Sequence, residues 1–258
     1  MPLIHSHALV SDTAKLAHDV EVGPFAIIED DVIIGSGCRI SSHAKICRGV
    51  VMGADNTVEH GSVIGGLPQD LSFDPTTESG VLIGNGNTIR EYVTINRSTR
   101  PGGNTIVGDR NFLMAVTHLA HDVEIGNDNI FANNVMIAGH CHLGSQIFLG
   151  GGSGFHQFVH IGDFAMSQGN SSISKDIPPY CTAHRNNILS GLNVVGLKRG
   201  GFSPTERKEI KLAYSMVLNS KSNRTEALAQ ADQLTWSPTS AKIIEAVRSP
   251  STKGILTR

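Results

Sequence analysis

Along the first quarter of the chain, every sixth residue is apolar. From Ile4 the series runs Val10, Leu16, Val22, Ile28, Ile34, Ile40, Ile46, Met52, Val58 and Ile64. It breaks at Asp70, resumes in a new phase at Ile83, Ile89 and Ile95, and skips Pro101. It then runs again from Val107 through Leu113, Leu119, Ile125, Phe131, Ile137, Leu143, Leu149 and Phe155 to Ile161. Ser167 interrupts before Ile173. A helix repeats every ~3.6 residues and a half-buried strand every two, so neither gives a period of six. A coil with three flat sides does. Each side takes six residues, points one apolar side chain inward, and carries a small or β-branched residue four positions on, such as Ala26, Val32, Ala44 or Val123. Glycine often follows the inward residue, as in Val22-Gly23, Ile34-Gly35 and Ile125-Gly126, where it is expected to allow a tight corner. Three sides make one coil of about 18 residues, and successive coils would stack at about strand spacing, ~4.8 Å. The pattern predicts a mainly β fold, a parallel β-helix of hexapeptide repeats.

Two segments fall out of register. Residues 66–80 and 98–104 are rich in Pro, Gly, Ser and Thr and read as loops pushed out of the coil. Long loops in a compact repeat fold usually carry function. Beyond Ile173 the repeat fades. Ser203-Pro204-Thr205-Glu206 is a capping box with proline at the first helical position. It predicts a helix with Ile210, Tyr214 and Val217 on one face. A second helix is expected over Thr225 to Leu234, and a third near Ser237-Pro238 with Ile243, Ile244 and Val247. The division is therefore a β-helix over 1–192 and a helical domain over 193–258, the latter covering strand edges that an open coil end would expose.

A net charge of −2 creates no field for nucleic acid, which is excluded as a partner. No apolar run is long enough for a transmembrane segment, and the first residues contain no signal-peptide core. The four cysteines, Cys38, Cys47, Cys141 and Cys181, form no C-x-x-C pair. Such sparse use fits a reducing compartment, so a cytoplasmic location is expected.

The candidate chemistry appears when the second run is folded onto 18-residue coils. His121, Gly139 and Gln157 then share one column. Asp122, His140 and Phe158 share the next, and Ala120, Ala138 and His156 the one before, with His118 close by. An imidazole can take a proton from a hydroxyl, a neighbouring carboxylate can fix its tautomer, and a glycine N–H can approach a developing oxyanion. This combination points to direct acyl transfer by a general base. No Gly-x-Ser-x-Gly elbow suggests a serine nucleophile, and no cofactor is called for. The same histidines also suit zinc held between subunits, as in a γ-type carbonic anhydrase. A purely structural β-helix would have no need of clustered histidines.

Motifs in order along the whole chain resemble the UDP-N-acetylglucosamine O-acyltransferases of lipid A biosynthesis. They include Pro68-Gln69-Asp70-Leu71, His118-Leu119-Ala120-His121-Asp122, Ala138-Gly139-His140, His156-Gln157-Phe158, Gly191-Leu192-Asn193, Gly196-Leu197-Lys198-Arg199 and Lys253-Gly254-Ile255. The resemblance implies a left-handed β-helix, a homotrimer with active sites between subunits, and no metal. It implies transfer of a 3-hydroxyacyl thioester from acyl carrier protein to a UDP-amino sugar. His121 would be the base, supported by Asp122, with the Gly139 N–H at the thioester oxygen. Asp70, Ser72, His118, His140, His156 and Gln157 would line the substrates, Gly169 would floor the acyl channel, and Asn193 and Arg199 would serve the nucleotide. The sequence departs from the family's pattern at Ser72 (Lys in well-known members), Asn96 (His), Val195 (Glu) and Gly200 (Arg). These changes leave open an alternative acceptor bearing an amine at carbon 3.

Overall fold

The computed structural model describes residues 1–220 and 222–257. Short parallel strands stack into three sheets that form the sides of a left-handed prism. Among the described residues the first face begins at Leu3–Ile4 and has eleven strands, the second begins at Leu9–Val10 and has nine, and the third begins at Lys15–Leu16 and has eight. Register is kept by the inward residues: Val22 pairs with Ile40, Ile28 with Ile46, and Leu119 with Ile137. These side chains fill the prism and are almost fully buried, from Val22 through Ile173. At the open first coil Ile4 is 40% exposed, because nothing stacks below it.

The corners correct the expected role of glycine. Three residues after most inward residues from Val22 onward the backbone turns left-handed, and the residue there is usually not glycine: Phe25, Asp31, Val116, Asp122 and His140 all have φ near +60°. The glycine directly after the inward residue serves close packing instead. A Cβ on Gly35 would lie 2.7 Å from the backbone of Gly53, and one on Gly126 would lie 2.8 Å from the Gly144 carbonyl oxygen. Stacked coils leave no room there for a side chain.

Both register breaks are loops between strands. The step between stacked residues lengthens from 18 to 31 between Ser62 and Val93, and to 24 between Thr94 and His118. The first loop is tied down by the coil that follows it. Arg97 Nη2 donates to the Pro75 carbonyl at 2.8 Å and its guanidinium lies 5.3 Å from the Phe73 ring centroid. Asn96 Nδ2 donates to the Leu67 carbonyl at 2.9 Å.

Above the last coil a hairpin of Cys181–His184 and Ile188–Leu192 runs antiparallel. Among the described residues four helices follow: α1 Val194–Arg199, α2 Pro204–Val217, α3 Arg224–Ala231 and α4 Pro238–Arg248. The capping box at Ser203 and Glu206 is formed. The sequence pattern missed α1, which is only six residues long and starts at an asparagine cap. After α4 the chain returns to the prism, where Ile255 pairs with Asp176 and Leu256 is buried.

Candidate active site

The columns expected from the repeat are formed on the second face. His118 pairs with Met136, so His121 stacks under Gly139 and Asp122 under His140. His118, His121 and Gly139, with Gln69, Ala138, His156 and Gln157, line a groove of about 490 Å³. A Cβ on Gly139 would fall 2.6 Å from His121 Cε1 and 2.8 Å from Nε2. The imidazole thus occupies the space that a side chain at 139 would take. The Gly139 N–H has no protein acceptor among the described residues.

Asp122 is completely buried. Its Oδ2 accepts from His121 Nδ1 at 2.9 Å, from the Thr99 N–H at 3.1 Å and from the Thr99 hydroxyl at 2.7 Å. Its Oδ1 accepts from the Ser98 hydroxyl and from Arg100 Nε at 3.0 Å. Burial alone would raise its pKa, but the donors from Ser98, Thr99 and His121 overcome this and hold it well below the usual carboxylate range. Asp122 is therefore ionised, and an ionised carboxylate only accepts. The proton of neutral His121 must sit on Nδ1, which leaves the Nε2 lone pair free over Gly139.

The neighbours complete the electrostatics. Burial lowers the pKa of His118, with His121 adding to the effect, and its Nδ1 pairs with the Thr94 hydroxyl at 2.7 Å. The His140 ring meets His121 edge-on at 5.0 Å and stacks on Phe158 at 4.7 Å. Its pKa is lowered, chiefly by burial. Asp70 hangs from the first loop. The Ser72 N–H and hydroxyl both donate to it at 2.8 Å and depress its pKa, with the charges of His121 and His140 assisting. Ser72 thus orients Asp70.

This donor set also bears on the zinc alternative. Ligand atoms of His121, Asp122 and His140 lie within 4.8 Å of one another. The Asp122 oxygens, however, are already engaged by five donors, one of them a guanidinium 3.0 Å away. A bound cation would have to displace these donors and face the Arg100 charge, so the site does not fit a metal.

Three expected site residues lie away from the His121 cluster. Gly169 sits exposed at the turn between the first and second faces. Arg199 and Asn193 line a separate groove of about 520 Å³ on the first face. The Asn193 amide is largely occupied by structure. Its Oδ1 caps α1 by accepting from the Gly196 N–H, and its Nδ2 donates to the Phe164 carbonyl, both at 2.9 Å. Conversely, Ser98, Thr99, Arg100 and Lys253 belong to the site and were not anticipated. The first three sit in the second register break, which was the one signal available. Lys253 Nζ reaches His156 Nδ1 at 3.2 Å from 97 residues away in the chain.

Residues 176–256 match a family model described as the second domain of UDP N-acetylglucosamine O-acyltransferase, and residues 13–48 and 104–139 match that of the bacterial transferase hexapeptide. An acyl-acyl-carrier-protein–UDP-N-acetylglucosamine O-acyltransferase of Campylobacter concisus is 34% identical over 98% of this chain and 99% of its own. The chain belongs to the UDP-N-acetylglucosamine O-acyltransferase family. A member from a Janthinobacterium species is 40% identical over 99% of this chain and all of its own. Among solved structures, the UDP-N-acetylglucosamine acyltransferase of Bacteroides fragilis superposes with a TM-score of 0.94 at 39% identity, over 98% of this chain and 99% of that one. The Acinetobacter baumannii structure gives 0.93 at 36%, over 99% and 100%. Family membership favours neither a zinc enzyme nor an amine acceptor.

Proposed function

We propose that this chain transfers a 3-hydroxyacyl group from acyl carrier protein to the 3-hydroxyl of UDP-N-acetylglucosamine, the first step of lipid A biosynthesis. His121 Nε2 takes the hydroxyl proton as the oxygen attacks the thioester carbonyl. The tetrahedral oxyanion is met by the Gly139 N–H. Collapse breaks the carbon–sulfur bond, and the imidazolium returns its proton to the departing sulfur. The products are the sugar ester and the free carrier thiol. Asp122 stays ionised throughout, orienting Nδ1 and stabilising the transient imidazolium. One observation carries the reading: a buried, ionised Asp122 bonded to His121 Nδ1, which leaves Nε2 free beside an N–H with no protein acceptor.

The enzyme is further proposed to act as a cytoplasmic homotrimer. The histidine groove lies on the second face and the Asn193–Arg199 groove on the first, so a single chain holds two half-sites that face apart. Setting the first face of one copy against the second face of the next joins them, and three copies close the ring. The four free cysteines agree with a reducing compartment.

The test is His121→Ala, assayed for transfer from 3-hydroxyacyl carrier protein to UDP-N-acetylglucosamine. Loss of a positioned base should lower kcat by about 10²–10⁴ with the fold intact by circular dichroism. Turnover like that of the wild type in the folded variant would remove His121 from the mechanism.

A further inference from the structure

We propose that Arg100 is a positioning residue that sets the base strength of the His121–Asp122 pair. The proposal rests on His121 being the general base. The guanidinium and the imidazole hold opposite oxygens of one buried carboxylate: Arg100 Nε lies 3.0 Å from Oδ1 and His121 Nδ1 lies 2.9 Å from Oδ2. A permanent positive charge on Oδ1 draws carboxylate charge away from Oδ2, and so weakens the attraction that Oδ2 exerts on a protonated His121. The same charge acts through space on the imidazoles. At His140, where burial is the largest cause of the lowered pKa, Arg100 pushes in the same direction.

The surroundings give the sign. The groups facing His121 are Asp122 beside it at the corner, Arg100 from the 98–104 loop, His118 on the strand just before it, His140 on the coil above, and Asp70 from the first loop. Replacing Arg100 removes one positive charge and leaves the others. The imidazolium is then repelled less and attracted more by Asp122, so His121 protonates at higher pH. A base works only when neutral, so the acid limb of the kcat/KM profile should move to higher pH. The Arg100 side chain is 61% exposed, and solvent screens part of its field. The expected displacement is therefore modest, ~0.5–1 pH unit at low ionic strength.

The experiment compares pH profiles of kcat/KM for the full-length wild type, Arg100→Met and Arg100→Lys, at low and high salt. Arg100→Met should move the acid limb up, and Arg100→Lys should return it most of the way. Added salt should move the wild-type limb toward that of Arg100→Met and hardly affect Arg100→Met itself. A limb for Arg100→Met that superimposes on the wild type at low salt overturns the proposal, as does Arg100→Lys behaving like Arg100→Met. If Arg100 merely held the loop, kcat would fall equally at every pH. If it merely docked an anionic substrate, KM would rise with the limb unmoved. Either result also rejects the proposal. Failure of the underlying reading is separable, because a fully active His121→Ala removes the base whatever Arg100 does. An inactive His121→Ala with an unmoved limb in Arg100→Met rejects only the role of Arg100.

Discussion

Replacing Gly139 by alanine adds a single methyl group, and the structure fixes what that methyl meets. It would lie 2.6 Å from His121 Cε1, 2.8 Å from Nε2 and 3.2 Å from Nδ1, so the imidazole must retreat. Ordinary carbon contacts begin near 3.4 Å or beyond, which requires a displacement of roughly 1 Å. The backbone at 139 needs no change, since its φ is outside the left-handed range, and the N–H proposed to meet the oxyanion remains. The His121 side chain is 15% exposed and can swing outward, so the fold should lose no more than about 1 kcal/mol. Swinging out breaks the 2.9 Å bond to Asp122 and moves Nε2 away from the attacking hydroxyl. A misplacement of about 1 Å costs on the order of 10² in rate. Gly139→Ala should therefore show kcat lower by ~10², KM within a few-fold of wild type, and a nearly unchanged melting temperature. The assay is steady-state acyl transfer with thermal unfolding of the same preparation. If kcat stayed within threefold of wild type, the imidazole would not be packed on Gly139 in the working enzyme, and the assignment of Nε2 as the base would fail with it.

Two further expectations follow from the loops and faces. Arg97→Ala removes the bond to the Pro75 carbonyl and the contact with Phe73 that hold down the loop bearing Asp70. Losing about 1–1.5 kcal/mol of tethering should raise the acceptor KM up to ~10-fold with kcat less affected, and an unchanged KM would mean that the loop is fixed by other contacts. Because the histidine and Arg199 grooves lie on different faces, subunits carrying His121→Ala should complement subunits carrying Arg199→Ala. Random mixing leaves one cleft in four with both residues intact, so co-expression should recover up to about a quarter of wild-type activity, and no recovery would count against shared sites.

The sequence made the prism legible because a six-residue period has no competing explanation, and every inward residue from Val22 onward is buried as the pattern requires. The same period alone places His121 under Gly139 and Asp122 under His140. What it left out lies where the period fails. Ser98, Thr99 and Arg100 sit in an irregular loop, and nothing in a register argument says that such a loop folds back to supply four donors to Asp122. Lys253 reaches His156 only because the chain returns from α4 to pair with Asp176, a contact between segments with no shared periodicity. The motif marks Asn193 as a nucleotide ligand, while its amide caps α1 and holds the Phe164 carbonyl. Motif position cannot separate a residue that touches substrate from one that shapes the backbone beside it.

The placement of the chemistry follows from the coil itself. In each coil the inward positions are committed to the core, and the residue after them is pressed against the coil above, which is why glycine recurs there. The left-handed corner, three residues on, is filled elsewhere by Phe25, Asp31 or Val116, so the geometry accepts almost any side chain. Asp122 and His140 occupy this corner, with φ of 59° each, and His121 and Gly139 lie one residue before them. Their backbone conformation is therefore ordinary for the scaffold and is not strain reserved for catalysis. Stacking repeats the corner at strand spacing, so two corners one coil apart bring Asp122, His121, Gly139 and His140 within contact of one another without any change to the core. What distinguishes these coils from the others is the loop at 98–104. It covers one corner carboxylate completely, and so turns an otherwise solvated Asp–His pair into one whose proton has a single defined place.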